Sequence, residues 1–222
     1  MCGRFFLNTP MEALEVRFEA VAAAPFAPRY NIAPTRAVPV VKATPAGRVI
    51  SLHHWGLVPA WAKDPALGNR LFNARGETLA DKPSFRAAFR KRRCLIPASG
   101  FYEWQARPGQ AKQPFLIQAA DGAPLAFAGL WELWEGPDGC LETCTIITTA
   151  ANAFMAPVHD RMPVVLAADH WQVWLDPGTR DLAGLQTLLR PCAEGLLRMH
   201  PVGPRVGSVK FDDPGLMEEP HG

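Results

Sequence analysis

The sequence lacks a large excess of charge of either sign. Its 222 residues include 23 Lys and Arg against 21 Asp and Glu, a formal net charge of +2. Since proteins that bind nucleic acid through their overall charge are strongly basic, any basic binding face must here be local. No internal repeat is visible, and the 22 prolines and 18 glycines form no low-complexity tract. The composition predicts one domain, over residues 1–222, with many turns between short strands.

Paired cysteines and long apolar runs are also missing. The five cysteines, at positions 2, 94, 140, 144 and 192, form no pair separated by two residues and lie near no histidine at zinc-finger spacing. This argues against a disulfide framework and a structural zinc site, and we expect neither a metal nor an organic cofactor. No stretch approaches the roughly 18 apolar residues of a membrane helix, and residues 1–5 lack the apolar core of a signal peptide. We therefore expect a cytoplasmic protein with no membrane partner.

The apolar patterning predicts an α+β fold. Helical spacing covers residues 10–21, where Thr9 and Glu12 have the spacing of a capping box, and returns at 84–93, 168–175 and 179–188. Runs rich in β-branched residues predict strands at 37–43, 49–55, 94–98, 115–119, 125–134, 143–148 and 162–166. Because helices and strands do not alternate regularly, we expect mostly antiparallel, curled sheets that form a barrel-like core with flanking helices. The GxGxxG, P-loop, GxSxG and HExxH motifs are absent.

Cys2 carries the most distinctive chemistry in the chain. Removal of Met1, which a small second residue permits, would leave a 1,2-aminothiol at the new terminus. An α-amine has a pKa near 7.7–8.0 and is partly unprotonated at neutral pH, so it can attack a carbonyl to give an imine. The thiol of the same residue can then close a thiazolidine ring, which resists hydrolysis better than the imine. The alternative is that Cys2 is an incidental small residue.

Three further polar residues lie in otherwise apolar or turn-like segments. Glu103 stands between Tyr102 and Trp104, where desolvation would raise the pKa of a carboxyl towards the range of a general acid or base. His159 is of the residue type that suits proton transfer near neutrality, and Asn73 could position a substrate by hydrogen bonds. The alternatives are that Glu103 is a surface residue on an edge strand, His159 a packed histidine and Asn73 an ordinary turn asparagine.

Together, eight segments resemble the SOS response-associated peptidase (SRAP) family, whose members shield abasic sites by DNA–protein crosslinking. They are residues 1–5 (MCGRF), 29–34 (RYNIAP), 55–59 (WGLVP), 73–78 (NARGET), 100–104 (GFYEW), 128–132 (AGLWE), 146–150 (IITTA) and 159–163 (HDRMP). The resemblance implies that Cys2 is the crosslinking nucleophile and that Asn73 orients it. It implies that Glu103 and His159 handle protons while the sugar ring opens and the thiazolidine forms. It also implies release of Met1 by the protein itself, with Cys2 again the nucleophile and no general protease activity.

Arginines beside these residues are candidate DNA contacts. Arg4, Arg75 and Arg161 could hold phosphates, because the guanidinium fork matches phosphate geometry. Ordinary ion pairing, with Glu77 or Asp160 among the partners, is the alternative. The tail departs from the family pattern at residues 207–211 (GSVKF), where many members carry asparagines, and only a backbone contact from Lys210 is considered there.

Trp61, with Pro59, could stack on or wedge against a base, as aromatic platforms do for single strands. The basic run at residues 90–93 (RKRR) could extend a groove for the DNA backbone, although a helix C-terminus also favours such a cluster.

We therefore predict that the partner is single-stranded DNA with abasic sites. We expect a monomer that associates with the nucleoid at damaged DNA, with replication-fork proteins as further candidate partners. Two other classes remain open. An N-terminal-nucleophile amidohydrolase also begins Met-Cys-Gly, but the residues after Gly3 differ and no Arg-Gly-Pro-Asp loop follows. A non-catalytic single-stranded DNA-binding module would leave Asn73, Glu103 and His159 without a role.

Overall fold

Strands make up most of the regular structure in the computed structural model, which describes residues 2–137 and 139–220. The strands are β1 Phe5–Leu7, β2 Ala20–Ala22, β3 Arg29–Ile32, β4 Ala37–Thr44, β5 Gly47–Trp55, β6 Asn73–Arg75, β7 Arg93–Ala98, β8 Gly100–Gln105, β9 Gln113–Ala119, β10 Leu125–Gly136, β11 Gly139–Ala150, β12 Arg161–Pro163 and β13 Leu197–Pro201. The α-helices are α1 Met11–Phe18, α2 Arg86–Lys91, α3 Trp171–Leu175 and α4 Leu182–Thr187. Short 3-10 helices span Pro65–Arg70, Gly76–Thr78, Ala168–His170, Pro204–Gly207 and Pro214–Met217.

A mixed sheet closes on itself to form the barrel. Its strand order is β12-β11-β10-β7-β4-β5-β2, and β6 pairs with β11 outside this path. A further parallel pairing joins β11 to β5, with Thr143 opposite His54 and Cys144 opposite Trp55. Five strands, β11, β10, β7, β4 and β5, therefore form a closed ring. This confirms the predicted α+β class with curled, mostly antiparallel sheets around a barrel-like core.

A second, antiparallel sheet of five strands has the order β13-β9-β8-β1-β3. The strand nearest the chain start, β1, lies inside this sheet between β8 and β3. Its three residues Phe5, Phe6 and Leu7 are at most 1% exposed. The segment Phe5–Leu7 is therefore buried and paired on both sides.

The first helix is shorter than predicted. It ends at Phe18 because Glu19 adopts a left-handed backbone conformation, and Ala20 then begins β2. The predicted capping box is wrong, since Pro10 is the N-cap residue and the hydroxyl of Thr9 hydrogen bonds with Ser99 Oγ at 2.9 Å. The helix thus lacks a side-chain cap at its first turn.

The remaining helices and one strand also occupy less of the chain than their patterns predict. The helix predicted at 84–93 is reduced to α2, because a strand begins at Arg93. The helix predicted at 168–175 is a 3-10 turn followed by α3, and the helix predicted at 179–188 is reduced to α4. The strand predicted at 162–166 contains only the end of β12. Among the described residues no helix is long and apolar enough to cross a membrane.

β11 organises the region where the two sheets approach each other. At its C-terminal end, Ile146 to Thr148 pair with β6, while Thr148 to Ala150 pair with β12. These two short strands bring Asn73 and the segment around His159 to either side of one strand. Asn73 and His159, 86 positions apart in sequence, are thereby held beside the same strand.

Candidate active site

Cys2 lies at the junction of the two sheets. It is fully buried, and the β1–β8 ladder extends to within two residues of it, since Tyr102 N–H donates to Arg4 O at 2.9 Å. Asn73 Nδ2, on the other sheet, donates to Cys2 O at 2.8 Å. This hydrogen bond fixes the second residue of the chain through its carbonyl and leaves its nitrogen and sulfur outside that contact. Asn73 Oδ1 is buried and accepts no hydrogen bond from the residues that the structure describes.

The carboxyl of Glu103 faces the same position from β8. Glu103 is 3% exposed, and this burial raises the pKa of its carboxyl because the ionised form loses hydration. Burial also raises the pKa of the Cys2 thiol, and the negative charge of Glu103 raises it further. The two groups are therefore close enough to influence each other, with the thiol in its protonated form at neutral pH.

His159 completes the cluster from the segment before β12. Its charge acts on Glu103 in the opposite sense to burial and lowers the pKa of that carboxyl. His159 Nδ1 accepts the N–H of Arg161 at 3.0 Å and also lies 2.8 Å from Asp160 Oδ1. Nδ1 thus contacts both a hydrogen-bond donor, the N–H of Arg161, and a potential acceptor, the carboxylate of Asp160.

The structure therefore brings together all four residues that the sequence singled out, Cys2, Asn73, Glu103 and His159. A further contact, which sequence reasoning missed, supports the cluster. Gln105 lies two residues after Glu103 on β8, and its Nε2 donates to Pro157 O at 3.0 Å. It ties β8 to the loop before His159. No sequence signal distinguishes Gln105 from an ordinary surface glutamine.

Arg161 and Arg4 are engaged in structural contacts. Arg161 forms a two-point ion pair with Glu77, at 2.6 and 2.9 Å, and donates to Thr148 O at 2.7 Å. The ion-pairing alternative considered for this arginine is thus present. Arg4 Nη1 donates to Asn31 Oδ1 and to the carbonyl of residue 206, both at 2.8 Å. Their contacts with DNA stay predictions.

Arg75 and Trp61 are the exposed members of the predicted DNA-contact set. Arg75 ends β6, two residues after Asn73, and so lies next to the cluster. Trp61 is 61% exposed, whereas Pro59 is buried, so the ring of Pro59 is unavailable for stacking on a base. Trp61 also belongs to a different region. Its neighbour Ala62 accepts a hydrogen bond from Trp134. Trp134 pairs with β11 at a point about 17 Å along that strand from the residue that pairs with Asn73.

The basic run at residues 90–93 divides into two pairs. Arg93 is buried and donates to four main-chain carbonyls, two of them in the last turn of α2, and Arg92 forms an ion pair with Glu132. Arg90 and Lys91 are exposed. The helix-terminus alternative thus applies to Arg90 and Lys91, which lie in the last turn of α2, and to Arg93, which donates to carbonyls of that turn.

The tail holds an edge of the five-stranded sheet. The Asn31 amide donates to the carbonyls of Ser208 and Phe211, and the Asp212 carboxylate accepts the N–H groups of Tyr30 and Asn31. Lys210 is exposed. Within residues 2–137 and 139–220, no three His, Cys, Asp or Glu side chains are grouped as a metal site would require.

Comparison with known proteins identifies the family. The model of the SOS response associated peptidase (SRAP) family matches residues 1–209. The chain belongs to the SRAP family. It is 39% identical over 222 residues to the abasic site processing protein YoqW of Bacillus subtilis, covering 98% of this chain and 99% of that protein. The abasic site processing protein HMCES of Xenopus tropicalis is 31% identical over 224 residues, covering 86% of this chain and 66% of that protein.

A solved structure supports the fold of this SRAP chain. The crystal structure of a protein from Bacteroides thetaiotaomicron superposes with a TM-score of 0.90 at 23% identity, over 99% of this chain and all of that chain. At this level of identity the likeness concerns the arrangement of strands and helices alone.

Proposed function

We propose that this SRAP protein processes abasic sites by covalent capture. Cys2, exposed as the N-terminus once Met1 is removed, attacks the aldehyde of an abasic site in single-stranded DNA and holds it as a thiazolidine that shields the lesion. The observation that carries the proposal is the 2.8 Å hydrogen bond from Asn73 to Cys2 O, beside the buried carboxyl of Glu103. The similarity to YoqW and HMCES, which are abasic site processing proteins, supports the same substrate.

Capture begins by opening the sugar ring. The abasic deoxyribose is mostly a closed hemiacetal, so its C1 hydroxyl must lose a proton while the ring oxygen gains one. His159 in its protonated form supplies the proton to the ring oxygen, water accepts the proton of the C1 hydroxyl, and the C1–O4′ bond breaks to leave an aldehyde at C1. Asp160 Oδ1 lies 2.8 Å from Nδ1 of the same ring.

The amine and thiol of Cys2 then add in turn. The amine attacks C1 to give a carbinolamine, which loses water to form an imine. The thiol adds across the C=N bond, its proton passing to the nitrogen, and the five-membered ring closes. Glu103 accepts and returns the protons of both steps, and its raised pKa suits a carboxyl that must do both near neutrality. One water molecule is released overall.

The same thiol would remove Met1. Its sulfur attacks the carbonyl carbon of Met1, the peptide C–N bond breaks to free the Cys2 amine, and water hydrolyses the thioester. Met1 lies outside the described residues, so this step rests on the position of Cys2 beside Glu103. The reaction is confined to the chain's own terminus and implies no activity on other proteins.

The DNA contacts follow from exposure. Arg75 is exposed next to Asn73 and is the first candidate for the phosphate beside the lesion. Arg161 can reach DNA only by sharing or releasing Glu77. Single-stranded DNA as the substrate, recruitment by replication-fork proteins, a monomeric state and a cytoplasmic location belong to the same proposal.

Denaturing gel electrophoresis tests capture directly. The Met1-free protein, verified by mass spectrometry, is incubated with single-stranded DNA that carries one abasic site, beside undamaged DNA. We expect a band that survives heating and that requires both the lesion and Cys2. Cys2→Ser and Cys2→Ala both keep the amine but lose the thiol that closes the ring. Each should therefore give an adduct that is stable only after borohydride reduction of the imine.

Cys140→Ala is the matched control, because Cys140 is an exposed free thiol far from the cluster in sequence. Loss of the band in this variant would mean non-specific thiol capture. Absence of any band with verified N-terminal Cys2 would instead favour the non-catalytic DNA-binding module, and glutamine hydrolysis would favour the amidohydrolase.

A further inference from the structure

A second basic surface lies where the C-terminal end of α2 meets the segment before α4. A cavity of about 230 Å³ is lined there by Arg90, Lys91, Thr179, Arg180 and Leu182, which we call the α2–α4 pocket. Arg90, Lys91 and Arg180 are cationic and exposed. The pocket therefore presents three positive charges around a concave surface.

These charges are not neutralised within the described part of the chain. None of the three cations forms an ion pair there. The nearest carboxylates serve the backbone: Asp176 accepts from Gly178 N at 2.8 Å, and Asp181 accepts from Gly184 N at 2.8 Å. The pKa of Asp176 is held low mainly by the Gly178 hydrogen bond, with Arg180 a minor contributor. The pocket thus keeps its positive charge for an external anion.

Arg92 and Arg93, the other two residues of the same basic run, differ from Arg90 and Lys91 in their contacts. Arg92 is paired with Glu132 and Arg93 is buried on main-chain carbonyls, so both serve the fold. Arg90 and Lys91, their immediate neighbours, lie in the last turn of α2, form no ion pair within the described residues and line the cavity.

Helix α4 links the pocket to the proposed active site. Its first residue, Leu182, lines the pocket, and near its other end Gln186 Nε2 donates to Gly76 O at 2.6 Å. A helix of this length spans about 9 Å. Gly76 follows Arg75, and Asn73 lies three residues earlier along β6, about 10 Å further. The pocket is therefore on the order of 20 Å from the site where Cys2 would capture the sugar.

We infer that the α2–α4 pocket binds backbone phosphates of the DNA strand that flanks the captured lesion. Arginine and lysine are the residues that neutralise such phosphates, and one strand of a duplex advances about 3.4 Å per phosphate. A single strand can be more extended than this, so a path of about 20 Å corresponds to at most about six nucleotides, within the span of a single-strand binding site. The inference rests on the proposed function for the identity of the strand, but the pocket's affinity for DNA can be measured without the covalent step.

The salt dependence of binding to undamaged single-stranded DNA tests the pocket. Fluorescence anisotropy is recorded for the wild type, for Arg90→Gln, for Arg180→Gln and for the double variant. Each lost phosphate contact should reduce the slope of log K against log salt by about 0.7, which corresponds to roughly 5-fold weaker binding at 0.1 M salt. Arg198→Gln is the matched control, because Arg198 is an exposed arginine on the outer strand β13 of the other sheet.

The length of the DNA provides the second arm. The double variant should bind and crosslink a long oligonucleotide less well than the wild type, but should equal it on DNA with about two nucleotides on each side of the lesion, which cannot reach the pocket. An unchanged slope, or an equal loss on short and long DNA, would overturn the inference. Failure of the wild type to crosslink would overturn the proposed function alone, because the anisotropy result does not depend on the adduct. Thermal unfolding of each variant separates loss of a contact from loss of the fold.

Discussion

Replacing Glu103 by Gln should make the protein more stable at neutral pH and at the same time slow capture of abasic sites. Glu103 is 3% exposed, and burial raises the pKa of its carboxyl because the ionised form loses its hydration, an effect that His159 partly opposes. Gln has nearly the same shape but cannot ionise or transfer a proton. The substitution therefore removes a cost to the fold together with a step of the chemistry.

The sign and size of the stability effect follow from linkage. A carboxyl with a higher pKa in the folded than in the unfolded protein contributes stability below its unfolded-state pKa and loses it as the pH rises through its folded-state pKa. Each unit of difference is worth about 1.4 kcal/mol. For a chain of this length, 1 kcal/mol shifts Tm by about 2–4 °C. The Tm of Glu103→Gln should thus match that of the wild type below the ordinary carboxyl pKa of 4.5 and exceed it increasingly as the pH approaches neutrality.

Two measurements check the prediction. Thermal unfolding followed by near-UV circular dichroism between about pH 4 and 8 gives the stability difference, and single-turnover crosslinking followed on denaturing gels gives the rate. Loss of a general acid or base should slow capture by about 100-fold or more. Glu135→Gln, at an exposed position on β10, should change neither quantity. A lower Tm for Glu103→Gln at neutral pH, or an unchanged rate, would refute the reasoning.

Three further substitutions test the supporting contacts. Asn73→Ala removes the hydrogen bond that fixes the chain start and should cost about 1 kcal/mol of unfolding free energy while slowing crosslinking about 10-fold; equal rates would contradict its orienting role. Glu77→Gln weakens the ion pair with Arg161, and because Glu77 is half-exposed the free energy of unfolding should fall by less than about 1 kcal/mol. Crosslinking should nevertheless slow several-fold, because the ion pair holds β12 in place. A rate loss that merely follows the loss of stability would argue against this positioning role. Arg93→Met leaves four main-chain carbonyls without their donor and should lower the free energy of unfolding by about 3–5 kcal/mol, measured as a lower denaturant midpoint with an unchanged m value. A loss under about 1 kcal/mol would show that water replaces the guanidinium.

The barrel was predictable because its strands carry long β-branched runs, but the five-stranded sheet was not. Three of its strands, β1, β3 and β13, have three to five residues each, too few for period-2 alternation to stand out from loop sequence. Their pairing depends on distant partners, as when Phe5 lies opposite both Ile32 and Phe101. Local patterning also extended α1 too far, because nothing in the apolar spacing marks the left-handed conformation of Glu19.

The identity of the site residues could be predicted, but their contacts could not. Cys2, Asn73, Glu103 and His159 each stand in a recognisable segment, so sequence could name them. That the Asn73 amide holds the Cys2 carbonyl depends on β6 pairing with β11 and on the two sheets meeting at that point. Burial of Pro59 and exposure of Trp61, two residues apart, likewise depend on tertiary packing.

The position of β1 explains how a chain terminus can serve as a reactive group. The first residues of most domains are poorly ordered, and ordering them for each reaction would cost conformational free energy. Here β1 is paired on both sides, its side chains are buried, and Asn73 on the other sheet holds the Cys2 carbonyl. Under the proposed function, the cost of ordering Cys2 is therefore met when the protein folds, before an aldehyde binds. Cys2 precedes β1 and Glu103 lies on β8 of one sheet, while Asn73 lies on β6 and His159 precedes β12, both paired with β11 of the other. The site therefore forms only when both sheets are assembled.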